Sequence, residues 1–246
     1  MGSWRNHVFL SHILIHLVGL IISQPDFVFK DCGLGFGNYT TNSMYQTNLD
    51  TLLSSLSSNI DSYGFYNSSS GENADKVNAI ELCRGDVDLD TCRGCINNAT
   101  SKITQDCPNS KEASGWYDLC ILRYSNESID GKVKNSPPHC AGNTFNEALR
   151  TLLNRLSSQA SSGTLRKFAT GNETGPGNQT IYGAMQCTPD LSEQDCSFCL
   201  QTIMTDIPSC IADSEGWRVD VPSCNLRFDN VPFFSQIPAD SPPGIS

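Results

Sequence analysis

The residues most able to do chemistry in this chain are its cysteines. There are twelve among 246 residues, and they include two CxxC motifs, Cys92 with Cys95 and Cys196 with Cys199. A CxxC motif serves as a redox dithiol in thioredoxin-like proteins and as half of a zinc site in zinc ribbons. In secreted proteins its two sulfurs belong to a disulfide framework. The cellular compartment therefore decides between these chemistries.

The N-terminus favours the disulfide framework. Residues 8–22 form an apolar run that follows the single cation Arg5. This run is typical of the h-region of a signal peptide and is shorter than the roughly 20 residues of a membrane span. We expect cleavage near Ser23, which makes residues 1–23 a signal peptide and the mature chain a secreted one without a membrane span. A short signal anchor is the alternative.

The small number of histidines and the negative net charge both argue against several classes of function. After removal of residues 1–23 the chain keeps a single histidine, His139. Ser-His-Asp and Cys-His-Asn hydrolases need a histidine held by other side chains, and most zinc sites built on histidine need several. We therefore expect no catalytic residue, no metal and no cofactor. The formal net charge of −10 is unsuited to nucleic-acid binding, which requires a basic face.

The cysteine spacing repeats along the chain. The pattern C-x8-C-x2-C that begins at Cys83 recurs from Cys187, at an offset of 104 residues, and all twelve cysteines divide into two sets of six. Such a repeat predicts two copies of one domain of about 100 residues. We place the first domain at residues 24–126 and the second at 139–236. A polar linker at 127–138 joins them, and a disordered tail follows at 237–246.

Each copy has the pattern of an α+β domain. Leucines at i, i+3, i+4 and i+7 predict a helix that starts at a capping box, at Thr47 in the first copy and at Thr144 in the second. A further helix in each copy carries the CxxC motif, with Ser192 as its cap in the second copy. Short strands are predicted at 79–82, 119–124, 181–186 and 225–228. Two helices and several short strands favour a mainly antiparallel sheet.

The pairing of the cysteines stays open at this point. The two cysteines of a CxxC motif lie on one face of a helix, and a bond between them would strain it, so we expect each to bond outward. Six cysteines still allow about 15 pairings in each domain.

Six Asn-X-Ser/Thr sequons agree with secretion and predict N-glycosylation at the surface, although a chain rich in Asn, Ser and Thr contains some by chance. They are Asn38, Asn67, Asn98, Asn126, Asn172 and Asn178.

Two C-x8-C-x2-C motifs behind a signal peptide resemble the plant DUF26 family, also called Gnk2-homologous or stress-antifung domains. The resemblance implies that each domain packs two helices on a five-stranded antiparallel sheet and contains three disulfides. It further implies the pairs Cys32–Cys107, Cys83–Cys92 and Cys95–Cys120 in the first domain and Cys140–Cys210, Cys187–Cys196 and Cys199–Cys224 in the second.

The resemblance also implies a carbohydrate site, because the family includes the mannose-binding lectin ginkbilobin. Its site uses an Asn just after the first cysteine, an Arg shortly before the last cysteine and a Glu a few residues after it. In the second domain Arg218 stands at the Arg position, Asp229 replaces the Glu, and Ala141 replaces the Asn, with Asn143 two residues later. Arg donates to sugar hydroxyls and Asp accepts from them. The alternative is that Arg218 and Asp229 form a surface ion pair on adjacent strands.

These features together predict a secreted, non-enzymatic protein of recognition or defence in the apoplast. Its expected partners are a cell-wall or microbial carbohydrate, a receptor, or another DUF26 protein. One alternative is the ectodomain of a cysteine-rich receptor-like kinase, cut short before its membrane span and kinase. Another is a thiol redox protein that uses the CxxC pairs.

Overall fold

A computed structural model shows two α+β domains, each with two helices on one face of an antiparallel sheet. It describes residues 27–33, 35–129, 147–162, 165–206 and 216–235. The predicted signal peptide, the tail, most of the linker and the pair Cys140–Cys210 lie outside these ranges. No helix among the described residues has the length and apolar character needed to cross a membrane.

The first domain has five strands and two helices. Helix α1 is Met44–Asn59, and helix α2, which carries the CxxC motif, is Leu89–Asp106. The strands are β1 Phe27–Asp31, β2 Phe65–Ser70, β3 Val77–Cys83, β4 Glu112–Tyr117 and β5 Cys120–Ser125. Their order across the sheet is β1-β4-β5-β3-β2, and every pairing is antiparallel. This is the predicted architecture.

The second domain repeats this arrangement. Helix α3 is Glu147–Ser161 and helix α4 is Glu193–Asp206. The strands are β6 Phe168–Thr174, β7 Thr180–Cys187, β8 Gly216–Val221 and β9 Cys224–Asp229, in the order β6-β7-β9-β8. This order matches β2-β3-β5-β4 of the first domain. The stretch that corresponds to β1 precedes residue 147 and lies outside the described residues, so four strands of the predicted five are seen.

Helix α1 begins three residues before the predicted capping box at Thr47, so that prediction is wrong. The cap is Ser43, whose Oγ accepts a hydrogen bond from the Gln46 backbone N–H at 3.3 Å. The Gln46 side chain in turn accepts from the backbone N–H of Asn42 at 2.7 Å. This reciprocal S-x-x-Q box stabilises the start of the helix and leaves Thr47 in its first turn. In the second domain Ser192 caps α4 as predicted, since its Oγ accepts from the Asp195 N–H at 3.1 Å.

The predicted leucine faces form the cores of both domains. Each side chain in these two stripes is at most 6% exposed. They are Leu49, Leu52, Leu53 and Leu56 on α1 and Leu149, Leu152, Leu153 and Leu156 on α3. Burying one such side chain stabilises a domain by about 1.5–3 kcal/mol, so these helices hold the sheets through apolar packing.

Disulfides tie the CxxC helix to the sheet in both domains. Helix α2 is bonded through Cys83–Cys92 to the end of β3 and through Cys95–Cys120 to the start of β5. Helix α4 is bonded in the same way through Cys187–Cys196 and Cys199–Cys224, and Cys32–Cys107 closes the first domain. These five pairs are the ones that the family resemblance implies. No cysteine among the described residues is free, so neither CxxC motif has the dithiol pair that the redox alternative requires.

The first core contains one unpaired carboxyl. Glu81 lies on the helix-facing side of β3, between Ala79 and Cys83, and is 1% exposed. Neither of its carboxylate oxygens has a hydrogen-bond partner. The equivalent residue of the second domain is Met185, which is also buried. Desolvation, followed by the like charge of Asp61, raises the pKa of Glu81 from its ordinary 4.5 to about 8.

Replacing this carboxyl with the apolar residue of the other copy should stabilise the protein in a pH-dependent way. The folded state keeps the proton of Glu81 at pH values where the unfolded state has lost it, so wild-type stability falls as the pH rises from about 4.5 to about 8. The variant Glu81→Met has no titratable group at this position. We expect its advantage in the free energy of unfolding to grow by about 1.4 kcal/mol per pH unit within that interval. Urea denaturation of both proteins at pH 5 and pH 8 measures it, and an advantage that is equal at both pH values contradicts the assignment.

The corrected start of α1 is tested by two single substitutions. Ser43→Ala removes the acceptor of the helix cap and should lower the free energy of unfolding by about 1 kcal/mol. Thr47→Ala is the matched control, because Thr47 only donates back to the Ser43 carbonyl oxygen within the first turn. Its effect should stay within about 0.5 kcal/mol. If Thr47→Ala is the more damaging change, the helix is capped there after all.

Candidate functional site

The second sheet places two arginines directly opposite each other. Arg218 on β8 pairs with Arg227 on β9 in the strand register. Both project from the face of the sheet that points away from α3 and α4, since the alternate residues Val219 and Leu226 belong to the core. Like charges in such a cross-strand pair repel each other. The pair is therefore stable only if acidic groups lie close by.

The first domain supplies the central acidic group. Asp118 occupies the turn between β4 and β5, and its Oδ1 accepts hydrogen bonds from Arg227 at 2.9 Å and from Arg218 at 3.4 Å. Its Oδ2 lies 3.6 Å from Nη1 of Arg84. Because Asp118 belongs to one domain and two of its cations to the other, these ion pairs join the domains.

Each arginine also has an aspartate of its own. Arg218 binds Asp220 at 2.6 Å, and Arg227 binds Asp229 at 3.3 Å. Arg84 binds Asp86 through two nitrogens. We call these seven side chains the Asp118 cluster: Arg84, Asp86, Asp118, Arg218, Asp220, Arg227 and Asp229. Burial raises the pKa of Asp220 above its ordinary value, and the neighbouring Arg218 offsets only part of this shift.

The structure therefore places Arg218, one of the three predicted carbohydrate residues, in the joint between the domains. Asp229 pairs with Arg227 inside the second domain. Arg218 also donates to the Tyr117 carbonyl oxygen at 3.0 Å, so three of its nitrogens bind protein groups. The alternative ion pair between Arg218 and Asp229 is not formed, because each binds a different partner. Asn143 lies outside the described residues.

Sequence reasoning missed Asp118 and Arg227. The arginine was visible as part of the repeat, since Arg123 stands at the equivalent position of the first domain. The aspartate breaks the repeat, because the second domain has Pro222 at that place. An acidic residue present in one copy alone was the available signal for a contact between the copies.

Side chains of the second domain also bind backbone carbonyl groups at the end of β3 and in the loop that follows it. Gln186 Nε2 donates to the Cys83 carbonyl oxygen at 3.0 Å, and Arg166 donates to that of Gly85. Gly85 approaches the second domain so closely that a Cβ atom there would clash with the ring of Phe168. A side chain at this position would force Phe168 or the backbone around it to shift.

The segment after β9 covers the outer face of the second sheet. The guanidinium of Arg227 lies 4.2 Å from the ring centroid of Phe233, a cation–π contact. The segment then reaches the first domain, where the backbone N–H of Ser235 donates to Asp86 at 2.9 Å. In the first domain the segment after β5 packs on its sheet in the same way. Ile129 is equivalent to Phe233 and packs on Ile80 of that sheet.

A small open cleft, with about 20 Å³ of space accessible to a water molecule, remains at the joint. Both domains line it, with Asp118 and Arg84 on one side and Asn225, Arg227 and Phe168 on the other. Within the described ranges, no three His, Cys, Asp or Glu side chains are grouped to hold a metal ion.

Two stretches of the chain match a known protein family. Residues 31–127 and 132–231 each match the family model described as salt stress response/antifungal. Cysteine-rich repeat secretory protein 38 of Arabidopsis thaliana is 39% identical over 237 residues, which cover 90% of this chain and 92% of that protein. An antimicrobial ginkbilobin-2-like protein of Castanea crenata is 35% identical over 235 residues, which cover 92% of this chain and 97% of the relative.

Longer relatives and solved structures share the same region. Cysteine-rich receptor-like protein kinase 26 of Arabidopsis thaliana is 40% identical over 237 residues, and the match covers 91% of this chain but 35% of the kinase. The chain thus spans about a third of the length of the receptor-like kinases that it matches. The tandem DUF26 ectodomain of the Arabidopsis thaliana receptor-like protein PDLP5 superposes with a TM-score of 0.66 at 26% identity, covering 83% of this chain and 98% of that one. That of PDLP8 superposes with a TM-score of 0.69 at 24% identity, covering 84% and 98%.

The role of Asp118 in the joint can be measured by its removal. Asp118→Ala leaves Arg218 and Arg227 opposite each other without their shared acceptor, so we expect the free energy of unfolding to fall by about 1–2 kcal/mol. Glu173→Ala is the matched control, because it removes a carboxylate that pairs with Arg155 inside the second domain at 3.5 Å. That exposed pair should contribute less than about 1 kcal/mol. Equal losses in the two variants, measured by urea denaturation, contradict a special role for Asp118.

Proposed function

Because the chain belongs to the salt stress response/antifungal family through both of its domains, we propose that it is an extracellular protein of plant defence that acts by recognition. The observation that carries this proposal is the match over 97% of an antimicrobial ginkbilobin-2-like protein. The match to a cysteine-rich repeat secretory protein over 92% of its length supports secretion. Five disulfides agree with an oxidising extracellular compartment.

A binding role agrees with how the charged side chains are used. In the Asp118 cluster every carboxylate faces a guanidinium, so these groups stabilise the arrangement of the domains instead of being poised for proton transfer. The relatives matched over nearly their full length carry the names of secreted and antimicrobial proteins. We therefore propose that the protein is not an enzyme.

The defence function is tested on fungal growth. The native protein, produced in a secretory host, is added to germinating spores beside a reduced and alkylated sample of the same protein. We expect inhibition by the native sample alone, because recognition requires surfaces that the disulfides hold in place. Equal growth in both samples at every concentration contradicts the proposal.

Carbohydrate binding is the finer form of this proposal. Arg218 lines the joint, and with Asp229 it stands at two of the three positions that the lectin resemblance assigns to a mannose-like sugar. Ala141 occupies the third position, and Asn143 lies two residues after it. A sugar hydroxyl would have to share Arg218 with Asp118 and Asp220, which bind it at 3.4 Å and 2.6 Å. Binding at this place therefore requires the donors of Arg218 that the carboxylates leave unused.

Two variants separate sugar recognition from the integrity of the joint. Arg218→Ala and Asp118→Ala remove the same interdomain ion pair, but Arg218→Ala alone removes the sugar donor. If the site binds mannose, calorimetric titration should detect binding to wild type and to Asp118→Ala and none to Arg218→Ala. Absence of binding to wild type, on a glycan array as well as in titration, rejects the carbohydrate proposal.

A receptor ectodomain is the second candidate. The 40% identity to a receptor-like kinase over 91% of this chain favours it. In that case binding at the recognition surface would be signalled to a kinase domain that follows it in the full-length protein. Sequencing of the transcript beyond the codon for Ser246 decides the matter, since a membrane span and a kinase reading frame are expected there for a receptor and a stop codon for a secreted protein.

A further inference from the structure

The joint between the domains brings together two different surfaces. The first domain contributes its loop end, which comprises residues 84–86 after β3 and residues 118–119 between β4 and β5. The second domain contributes the outer face of its sheet, where Arg218 and Arg227 bind Asp118. A contact between two unlike surfaces does not close on itself, so repeated units can join head to tail without limit unless a further feature prevents it.

Both domains contain both surfaces, because the two copies share one fold. The second loop end comprises residues 188–190 after β7 and residues 222–223 between β8 and β9. The backbone hydrogen bond that joins the two parts of the first loop end, from Arg84 to Leu119, recurs 104 residues later in the second. The second loop end and the outer face of the first sheet are therefore another pair of the same two surfaces.

The second loop end lacks the residues that dock the first. Gly85, where a Cβ atom would clash with Phe168, corresponds to Pro189. Asp118, the acceptor that two arginines share, corresponds to Pro222. The second loop end thus has a proline ring where the joint needs a bare backbone, and its turn has no carboxylate where the joint needs an acceptor.

The first sheet in turn lacks donors that the second sheet uses. Arg218 corresponds to Ser114, because each lies opposite the equivalent arginine of the neighbouring strand. Gln186, which donates to the Cys83 carbonyl oxygen, corresponds to Leu82 in the strand register. The first sheet therefore offers neither a pair of opposed arginines nor an amide donor to a loop end.

Contacts within the first domain occupy much of the remaining outer face of its sheet. Arg123, the equivalent of Arg227, lies 3.6 Å from Oε2 of Glu112, and the side chains of this pair are 7% and 4% exposed. Ile129 packs on Ile80 in a buried cluster of the same face. A loop end of another molecule would have to displace these contacts before it could bind there.

We propose that these differences allow the joint to form once in each molecule and prevent further molecules from adding to it. Gly85 and Asp118 identify the domain that docks, and Gln186 and Arg218 identify the sheet that accepts it. Specificity of this kind is achieved by blocking the wrong contact as well as by favouring the correct one. The proposal concerns how DUF26 domains select each other and is independent of the ligand that the protein recognises.

The test transfers the docking residues from one copy to the other in the full-length chain. Gly85→Pro/Asp118→Pro gives the first loop end the two prolines of the second and should open the joint. The second loop end keeps its backbone hydrogen bond with both prolines present, so the loop accommodates them. In this opened chain Thr188→Arg/Pro189→Gly/Pro222→Asp then gives the second loop end the docking residues of the first. Because a loop end cannot reach the sheet face of its own rigid domain, the new contact forms only between molecules.

Light scattering during size-exclusion chromatography measures the molar mass over a range of protein concentrations. We expect the opened chain with the transferred residues to associate, with at least about a twofold rise in weight-average molar mass. The opened chain without the transfer should stay monomeric. The matched control carries the transfer but keeps the native joint. It should also stay monomeric, because its own first domain occupies the second sheet at an effective concentration of about 1 mM.

Circular dichroism and urea denaturation establish that each variant is folded, and Asp118→Ala supplies the opened joint if the double proline variant does not fold. The proposal is overturned if the opened chain with the transferred residues stays monomeric at every concentration. It is equally overturned if the matched control, or the opened chain that keeps Pro189 and Pro222, associates as strongly.

Discussion

A single carboxylate of the first domain, Asp118, lies between two arginines that the second sheet holds directly opposite each other. Neither side of this contact is complete alone. The two guanidinium groups repel each other across adjacent strands, and the first domain supplies an acceptor that both of them use. The other interdomain contacts, at Gly85, Gln186 and Ser235, surround this point. The relative position of the domains therefore follows from a charge constraint and a close backbone approach.

This constraint determines which surfaces are left for recognition. Each sheet uses one face for its two helices, which disulfides and leucine packing hold in place. Near the Asp118 cluster, the opposite face of the second sheet contacts the first domain. The outer sides of the helices and the loops remain for ligands. A defence protein of this kind would present surfaces from both domains at once, which a single domain does not offer.

The sequence predicted those parts of the fold that depend on local periodicity. The leucine stripes of α1 and α3 and the CxxC helices lie where the pattern places them, because an amphipathic helix is specified by neighbours three and four residues apart. Strands such as β2, with the sequence FYNSSS, and β6 lack apolar alternation and were not predicted. Their positions follow from pairing with β3 and β7, which is a tertiary effect. The start of α1 was misplaced because Ser43, the residue that caps it, lies four residues before the predicted cap Thr47.

The candidate site shows the limit of reasoning from residues alone. Arg218 and Asp229 were found through a family resemblance, but their partners were not, since Asp118 is 100 residues away from Arg218 in the chain. Glu81 illustrates the same limit inside a domain, because a carboxyl in a strand gives no sign of whether it will face water or the helix layer. In both cases the deviation of one copy from the other, an Asp for Pro222 and a Glu for Met185, was the only local sign.

The most direct measurement is to cut the chain between the domains and ask whether they stay together. None of the five disulfides joins the two domains, so a protease site inserted after Gly131 leaves them held by noncovalent contacts alone. We expect the two halves still to elute together from a size-exclusion column in dilute buffer and to separate when Asp118→Ala is introduced. Two independently eluting, folded halves of the wild-type sequence would contradict it.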